Sequence, residues 1–91
     1  MEVSLGSIVM SKAGRDKSNY FIVVAQENDY VYICDGDLRK IDKPKKKKKK
    51  HLSVTSTVCN SIGEKIVANN KVTNAELRRA LAEFRDITEA N

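Results

Sequence analysis

The chain has 91 residues, which is enough for one small domain with a modest core. Hydrophobic residues make up 41% of it, so the composition excludes a protein that is disordered throughout. No apolar run approaches the length of a membrane-spanning helix, and the first residues, MEVSLGSIVM, lack the basic start of a secretory signal. We therefore expect a cytoplasmic protein with no membrane partner.

The net charge of +5 comes from one segment of the chain. There are 17 basic and 12 acidic residues, and Lys43 together with Lys45–Lys50 supplies seven of the positive charges. Without these seven, ten basic and twelve acidic residues leave a net charge of −2. A concentrated basic patch on a nearly neutral body favours a polyanionic partner, either nucleic acid or an acidic membrane face.

Four segments have the alternation, or the β-branched and aromatic content, that is typical of strands: residues 7–12, 20–26, 30–34 and 52–58. The last segment alternates most clearly, and we expect three of its side chains to point inward: Leu52, Val54 and Val58. Four or five short strands within about 55 residues predict a mainly-β fold, a small antiparallel barrel or rolled sheet.

The connections between these strands carry turn chemistry. Gly14 is free to take a positive φ in the first connection, residues 27–29 make a tight hairpin, and residues 35–37 end the third strand. No long helical pattern interrupts the strands, so a parallel βαβ arrangement is excluded. We expect the barrel to occupy residues 1–59.

After residue 59 the hydrophobic period changes to that of helices. The sequences Ser61–Glu64 and Thr73–Glu76 match the capping box, in which a hydroxyl and a carboxylate satisfy free backbone N–H groups at a helix start. The pattern predicts two helices, near 62–69 and 74–87. We expect residues 60–91 to form an extension packed on the barrel, with three apolar side chains of the second helix laid across it: Leu77, Leu81 and Phe84.

The lysine-rich segment lies between the third strand and the strand that starts near Leu52. We expect residues 36–51 to form a basic loop, because structureless connections of such length are usually functional or disordered. Pro44 and repulsion among the lysines would keep this loop extended. Since both of its ends are tethered to the sheet, it is a loop and not a tail.

The sequence carries no constellation for catalysis or metal binding. There is one histidine, His51, and no CxxC pair, so we expect no metal and no cofactor. Cys34 and Cys59 are expected to be reduced, buried thiols, with a disulfide disfavoured in a reducing compartment. No nucleophile pairs with a second histidine and no glycine-rich phosphate loop is present, so we expect no enzyme and no small-molecule substrate.

The segment LGSIVMSKAGRDKSNYFIV resembles the KOW family, short barrel-forming motifs of ribosomal proteins and transcription elongation factors. The matching residues are Gly6, Ile8, Val9, the run Ser11 to Lys17, Phe21 and Val23. The match continues through Gly36–Arg39 and the basic run into His51 and Leu52, and VTNAELRRAL at 72–81 is also similar. This second part resembles small stand-alone bacterial KOW proteins, which are similar to a eukaryotic and archaeal large-subunit ribosomal protein family.

The resemblance implies an SH3-like barrel that contacts ribosomal or other structured RNA, and we expect the protein to be a monomer. It also implies that the turn around Gly14 touches the RNA backbone, with Lys12, Arg15 and Lys17 paired to phosphates. A turn with three cations and a glycine suits this chemistry independently of the resemblance. The family often has a second glycine where this chain has Ser18, which indicates that this position does not need a positive φ.

The turn and the basic run together make the predicted RNA-binding set. It comprises Lys12, Gly14, Arg15, Lys17, Arg39, Lys40, Lys43, Lys45, Lys46, Lys47, Lys48, Lys49, Lys50 and His51. Lysines read phosphate charge and not base sequence, so this set predicts affinity more than specificity.

Structural explanations compete with the functional ones at several of these positions. The lysine run is also consistent with a solvated disordered loop, contact with membrane headgroups or a targeting signal. Arg15 is also placed to form a surface salt bridge with the adjacent Asp16. For the tyrosines, we favour packing in a core that is poor in aromatic residues over base stacking.

Two functions therefore remain consistent with the sequence. The first is a non-catalytic RNA-binding protein that contacts ribosomal or other structured RNA. The second is a protein-interaction adaptor in the translation or transcription machinery, since KOW barrels also bind proteins and the two helices would form a groove.

Overall fold

The computed structural model describes residues 2–89, which form five strands, one short 3-10 helix and two α-helices. The strands are β1 (Ser7–Ser11), β2 (Tyr20–Glu27), β3 (Tyr30–Cys34), β4 (Lys45–Lys48) and β5 (Leu52–Val58). The 3-10 helix spans Lys49–His51, and the α-helices are α1 (Asn60–Val67) and α2 (Asn74–Glu89). The predicted mainly-β fold with two C-terminal helices is confirmed.

All five strands form one antiparallel sheet in the order β4-β3-β2-β1-β5. The two edge strands, β4 and β5, follow each other in the chain and are joined only by the 3-10 helix. A connection this short requires the sheet to curl until its edges approach, which gives the barrel-like shape. The backbone N–H of Lys12 donates to the carbonyl oxygen of His51 at 2.9 Å and fastens this corner to the end of β1.

The curled sheet has a hydrophobic cluster on each face. The inner cluster fills the barrel and consists of Val9, Phe21, Val23, Val31, Ile33 and Leu52. The outer cluster joins the sheet to the helices and consists of Ile8, Ile22, Cys34, Ile62, Val72, Leu77 and Leu81. Because the central strands are buried on both faces, β2 reads as a continuous apolar run instead of alternating.

Helix α2 covers the outer face as expected. Leu77 and Leu81 are almost fully buried, and the ring of Phe84 meets Tyr20 edge-on with centroids 5.0 Å apart. The predicted capping box at Thr73 is confirmed. The backbone N–H of Thr73 donates to Glu76 Oε2 at 2.7 Å, and the N–H of Glu76 donates to Thr73 Oγ1 at 3.2 Å.

Glu76 also connects the two helices. Lys65 of α1 donates a hydrogen bond to its carboxylate and forms an ion pair with it. The hydrogen bond from Lys65, followed by the one from the backbone of Thr73, lowers the pKa of Glu76 below its usual value. The carboxylate therefore stays ionised to a lower pH than a free glutamate, and the pair is lost only when the pH falls below that range.

The first predicted capping box is wrong. Helix α1 begins at Asn60, and its N-cap residue Cys59 makes no side-chain cap hydrogen bond. Contact with the loop before β1 sets this start, since the N–H of Cys59 donates to Gly6 O at 2.8 Å and Cys59 O accepts from the N–H of Gly63.

The predicted inward orientation of Val58 is also wrong. This side chain is 37% exposed, beyond an irregularity in the pairing of β1 with β5.

The expected loop at residues 36–51 is wrong in its second half. An ordered turn follows β3, in which Asp35 Oδ1 accepts the backbone N–H groups of Asp37 and Arg39, each at 2.9 Å. Lys45–Lys48 is then extended, as expected, but as strand β4 hydrogen-bonded to β3. The sequence did not suggest a strand because lysine is depleted in strands and the run has no alternation.

The two cysteines are free thiols that belong to the outer cluster. Cys34 is fully buried and Cys59 is half-buried. Burial, with a smaller contribution from the charge of Asp35, raises the pKa of Cys34 to about 12. Burial also raises the pKa of Cys59.

Neither α1 nor α2 is long and apolar enough over the described residues to cross a membrane. Within residues 2–89, no group of three or more His, Cys, Asp or Glu side chains could hold a metal ion.

Ser18 corrects an expectation about the turn between β1 and β2. Its φ is +73°, so this position adopts the left-handed conformation although it is not glycine. The surrounding backbone holds it there, because the N–H of Ser18 donates to Ser11 O at 2.8 Å and the N–H of Asn19 donates to Asp16 O at 3.0 Å. Gly14, with φ +77°, supplies the other left-handed residue of the same turn.

We expect Ser18→Gly to raise the free energy of unfolding by about 1 kcal/mol, because the left-handed conformation strains residues that carry a Cβ. The matched control is Asn19→Gly, whose φ is not positive, and it should lower the free energy of unfolding. Urea unfolding followed by circular dichroism measures both. A Ser18→Gly variant less stable than the wild type would contradict the expectation.

Candidate nucleic-acid interface

Strand β4 is held at the edge of the sheet by its pairing with β3. Lys45 is paired with Ile33 and Lys47 with Val31, so these two lysines lie on the inner face of the sheet. Both lysines are half-buried, whereas their two partners are fully buried. The aliphatic stems thus cover the edge of the barrel interior while the ammonium groups reach water.

The other two lysines of β4 lie on the outer face. Lys48 is paired with Tyr30 and Lys46 with Tyr32, and both lysines are exposed. The ammonium of Lys46 lies 4.6 Å from the centroid of the Tyr30 ring and 6.0 Å from that of Tyr32. Lys46 also lies 3.6 Å from a carboxylate oxygen of Glu27. Strand pairing therefore divides one uniform lysine run into two rows with different surroundings.

The inner row reaches the turn between β1 and β2, residues 12–18, which we call the basic turn. Lys47 Nζ donates to the carbonyl oxygen of Ala13 at 3.2 Å. A Cβ added at Gly14 would lie 3.6 Å from the same ammonium, so Gly14 is adjacent as well. The basic turn and β4 are far apart in the sequence, but the fold brings them together.

The cations of the basic turn point into solvent. Lys12, Arg15 and Lys17 are all exposed. The ion pair considered between Arg15 and Asp16 does not form, and Arg15 makes no salt bridge within the part of the chain that the structure describes. Three cations of this turn are therefore available to a ligand.

Asp16 instead pairs with Arg39. The Asp16 side chain is only 7% exposed, and both of its carboxylate oxygens accept hydrogen bonds from Arg39 Nη2, at 3.3 and 3.1 Å. Arg39 Nε is buried without a hydrogen-bond partner in the described residues. The pair joins the basic turn to the turn after β3, so Arg39, one of the predicted RNA-binding residues, has a structural role in holding these two segments together.

The fourteen predicted RNA-binding residues differ in exposure. The exposed ones are Lys12, Gly14, Arg15, Lys17, Lys40, Lys43, Lys46, Lys48, Lys50 and His51, and the half-buried ones are Arg39, Lys45, Lys47 and Lys49. The structure therefore brings the basic turn and the lysine strand onto adjoining parts of one surface.

Two features of this surface were not predicted. The Asp16–Arg39 pair joins residues that are far apart in the sequence. The available signal was only that two oppositely charged residues lie in two turn segments. Tyr30 and Tyr32 were assigned to packing, yet they lie beside the outer lysine row. Their alternation with Val31 and Ile33 in β3 was the available signal.

Lysines on β4 also have an explanation that involves no ligand. An edge strand exposes unpaired backbone groups to other chains, and charged side chains, lysine especially, discourage such pairing. This explanation accounts for lysine on the strand itself. It does not account for the cations of the basic turn, which lie outside any strand.

No protein-family model matches the chain, and no curated protein matches it in sequence. The resemblance to the KOW family therefore stays a prediction.

We expect Arg39→Ala to lower the free energy of unfolding by about 2 kcal/mol, because it leaves the buried Asp16 carboxylate without its charged partner. Asp16→Asn should lower the free energy of unfolding by less than Arg39→Ala does, because the Arg39 side chain is 31% exposed and can turn its charge to solvent. Lys40→Ala, beside Arg39 and exposed, is the matched control and should be nearly neutral. Urea unfolding measures all three, and a larger loss for Asp16→Asn would contradict this asymmetry.

Proposed function

We propose that this protein is a non-catalytic, cytoplasmic RNA-binding protein that contacts ribosomal or other structured RNA through the basic turn and the lysine strand. The observation that carries the proposal is the hydrogen bond from Lys47 to Ala13, which joins the two cationic segments into one surface. A continuous cationic surface on a body that is otherwise slightly acidic suits a polyanion with closely spaced charges.

The composition of the surface supports phosphate contact more than base readout. Lysine ammonium groups pair with phosphates as point charges, and Arg15 adds a planar group suited to bidentate phosphate contact. Within the surface, the Asp16 carboxylate is neutralised by Arg39 and turned away from solvent. The RNA would therefore be positioned through its backbone, with little selection by base sequence.

A second candidate is a protein-interaction adaptor, and one groove favours it. A groove of about 420 Å³ lies between the end of β5 and helix α2, with Val58 and Ile87 exposed along it. Glu76 and Glu83 also line this groove, so it does not suit RNA. The two functions differ in their response to salt, because phosphate binding releases counterions and apolar docking does not.

We expect binding of a fluorescein-labelled RNA hairpin with a single-stranded tail to weaken steeply with salt. A log–log slope of about −4 to −6 corresponds to five to eight phosphates. Lys46→Ala with Lys48→Ala should reduce that slope by about two, since each lost phosphate contact removes about one.

The control variant for this test is Lys71→Ala with Arg79→Ala, which removes the same charge from exposed positions at the helices. It should leave the slope nearly unchanged. A salt-independent affinity for the hairpin, or equal effects of the two double variants, would contradict the proposal. Fluorescence anisotropy over a salt series provides the measurement.

The basic turn has a separate test. Arg15→Ala should weaken hairpin binding and reduce the salt slope by about one, because one phosphate contact is lost. Arg15→Lys keeps the charge, so it should preserve the slope while losing the bidentate contact. If Arg15→Ala combined with Lys17→Ala binds as tightly as the wild type, the turn is not part of the interface.

A further inference from the structure

Two of the three tyrosines have an unusual place in the fold. Tyr30 and Tyr32 lie two residues apart on β3 and so project from the same, outer face of the sheet. Tyr20 packs against the outer hydrophobic cluster, but among the described residues 2–89 neither Tyr30 nor Tyr32 belongs to or packs against the inner or outer cluster. Both are half-buried and not enclosed. Core packing therefore does not explain them.

The outer lysine row stands directly beside these rings. The ammonium groups of Lys46 and Lys48 lie 4.6 and 5.8 Å from the centroid of the Tyr30 ring. Cation–π contacts at such exposed positions are weak, and the flexible lysine stem lets each ammonium move off the ring. The Lys46–Glu27 pair is also weak, because both of its side chains are about half exposed.

From this juxtaposition we infer that the outer face of β3 and β4 binds the unpaired nucleotides of single-stranded RNA. A base stacks on the ring of Tyr30, and a second on Tyr32, while Lys46 and Lys48 move to the flanking phosphates. The inference rests on the proposed RNA-binding function and adds the class of RNA that this face selects.

The stacking chemistry restricts the ligand to unpaired bases. In a duplex, each base is already stacked on its neighbours, so its face is not accessible to a side chain. A lysine row alone would bind single strands and duplexes through the same phosphates. Aromatic rings alternating with cations combine stacking with charge neutralisation, the arrangement by which proteins hold single strands with little sequence preference.

The first test compares two probes with the full chain: an oligouridylate of about a dozen nucleotides and a blunt-ended RNA duplex with the same number of phosphates and no unpaired nucleotide. Tyr30→Leu should weaken binding of the oligouridylate about tenfold and leave duplex binding unchanged. Tyr30→Phe keeps the ring and is the matched control, with wild-type affinity for both probes. Thermal unfolding checks that each variant is folded.

A second measurement uses the wild-type protein and does not depend on any variant. The chain has three tyrosines and no tryptophan, so its intrinsic fluorescence reports on the tyrosines alone. Stacking of bases on Tyr30 and Tyr32 should quench this emission when the oligouridylate binds, and the blunt-ended duplex should leave it nearly unchanged. Tyr30→Phe should remove part of the quenching.

The outcomes separate the two proposals. If the protein binds neither probe, the proposed RNA-binding function itself fails. If it binds both probes but Tyr30→Leu changes neither affinity and no quenching occurs, only the inference fails, and the tyrosines are structural. A loss of affinity for the oligouridylate alone, together with quenching specific to it, supports single-strand binding on this face.

Discussion

The pairing of β4 with β3 is the constraint on which the rest of this surface depends. Four consecutive lysines have no intrinsic tendency to form a strand, and their charges repel one another. Pairing with β3 overcomes this repulsion because it adds backbone hydrogen bonds and points alternate lysines to opposite faces of the sheet. The inner row lays its stems over the barrel interior, and the outer row lies over tyrosine rings.

Several other features follow from this pairing. With β4 in place, the 3-10 helix leads directly into β5, and the edges of the curled sheet approach each other. The inner lysine row then reaches the basic turn through Lys47. The Asp16–Arg39 pair joins that turn to the turn after β3, so an ion pair with a buried carboxylate and a half-buried guanidinium fixes the backbone while Lys12, Arg15 and Lys17 remain exposed. Charge thus has a structural role in the Asp16–Arg39 pair and a proposed binding role on the exposed part of the surface.

The protection of an exposed sheet edge and the binding of RNA are compatible uses of the same lysines. A row of ammonium groups keeps other strands away from the edge, because a neighbouring chain would bury them. A polyanion approaches the side chains and not the backbone, so it meets no such barrier. The outer row differs from a purely basic sheet edge, because Tyr30 and Tyr32 lie beside it and, over the part of the chain that the structure describes, belong to neither hydrophobic cluster.

The sequence alone determined the four apolar strands, the hairpin at 27–29, both helices and the capping box at Thr73, because each depends on residues close in the chain. It also located the cationic residues. Tertiary structure decided strand β4 and the partner of Asp16, which depend on distant contacts: pairing with β3 and a charge 23 positions away. The left-handed conformation of Ser18 depends on how the whole turn closes, through the hydrogen bond to Ser11. The pattern of side chains reflects the local conformational preference of each segment. A lysine run has no such preference for a strand, so it forms one only when the edge of the sheet, here β3, supplies backbone hydrogen bonds.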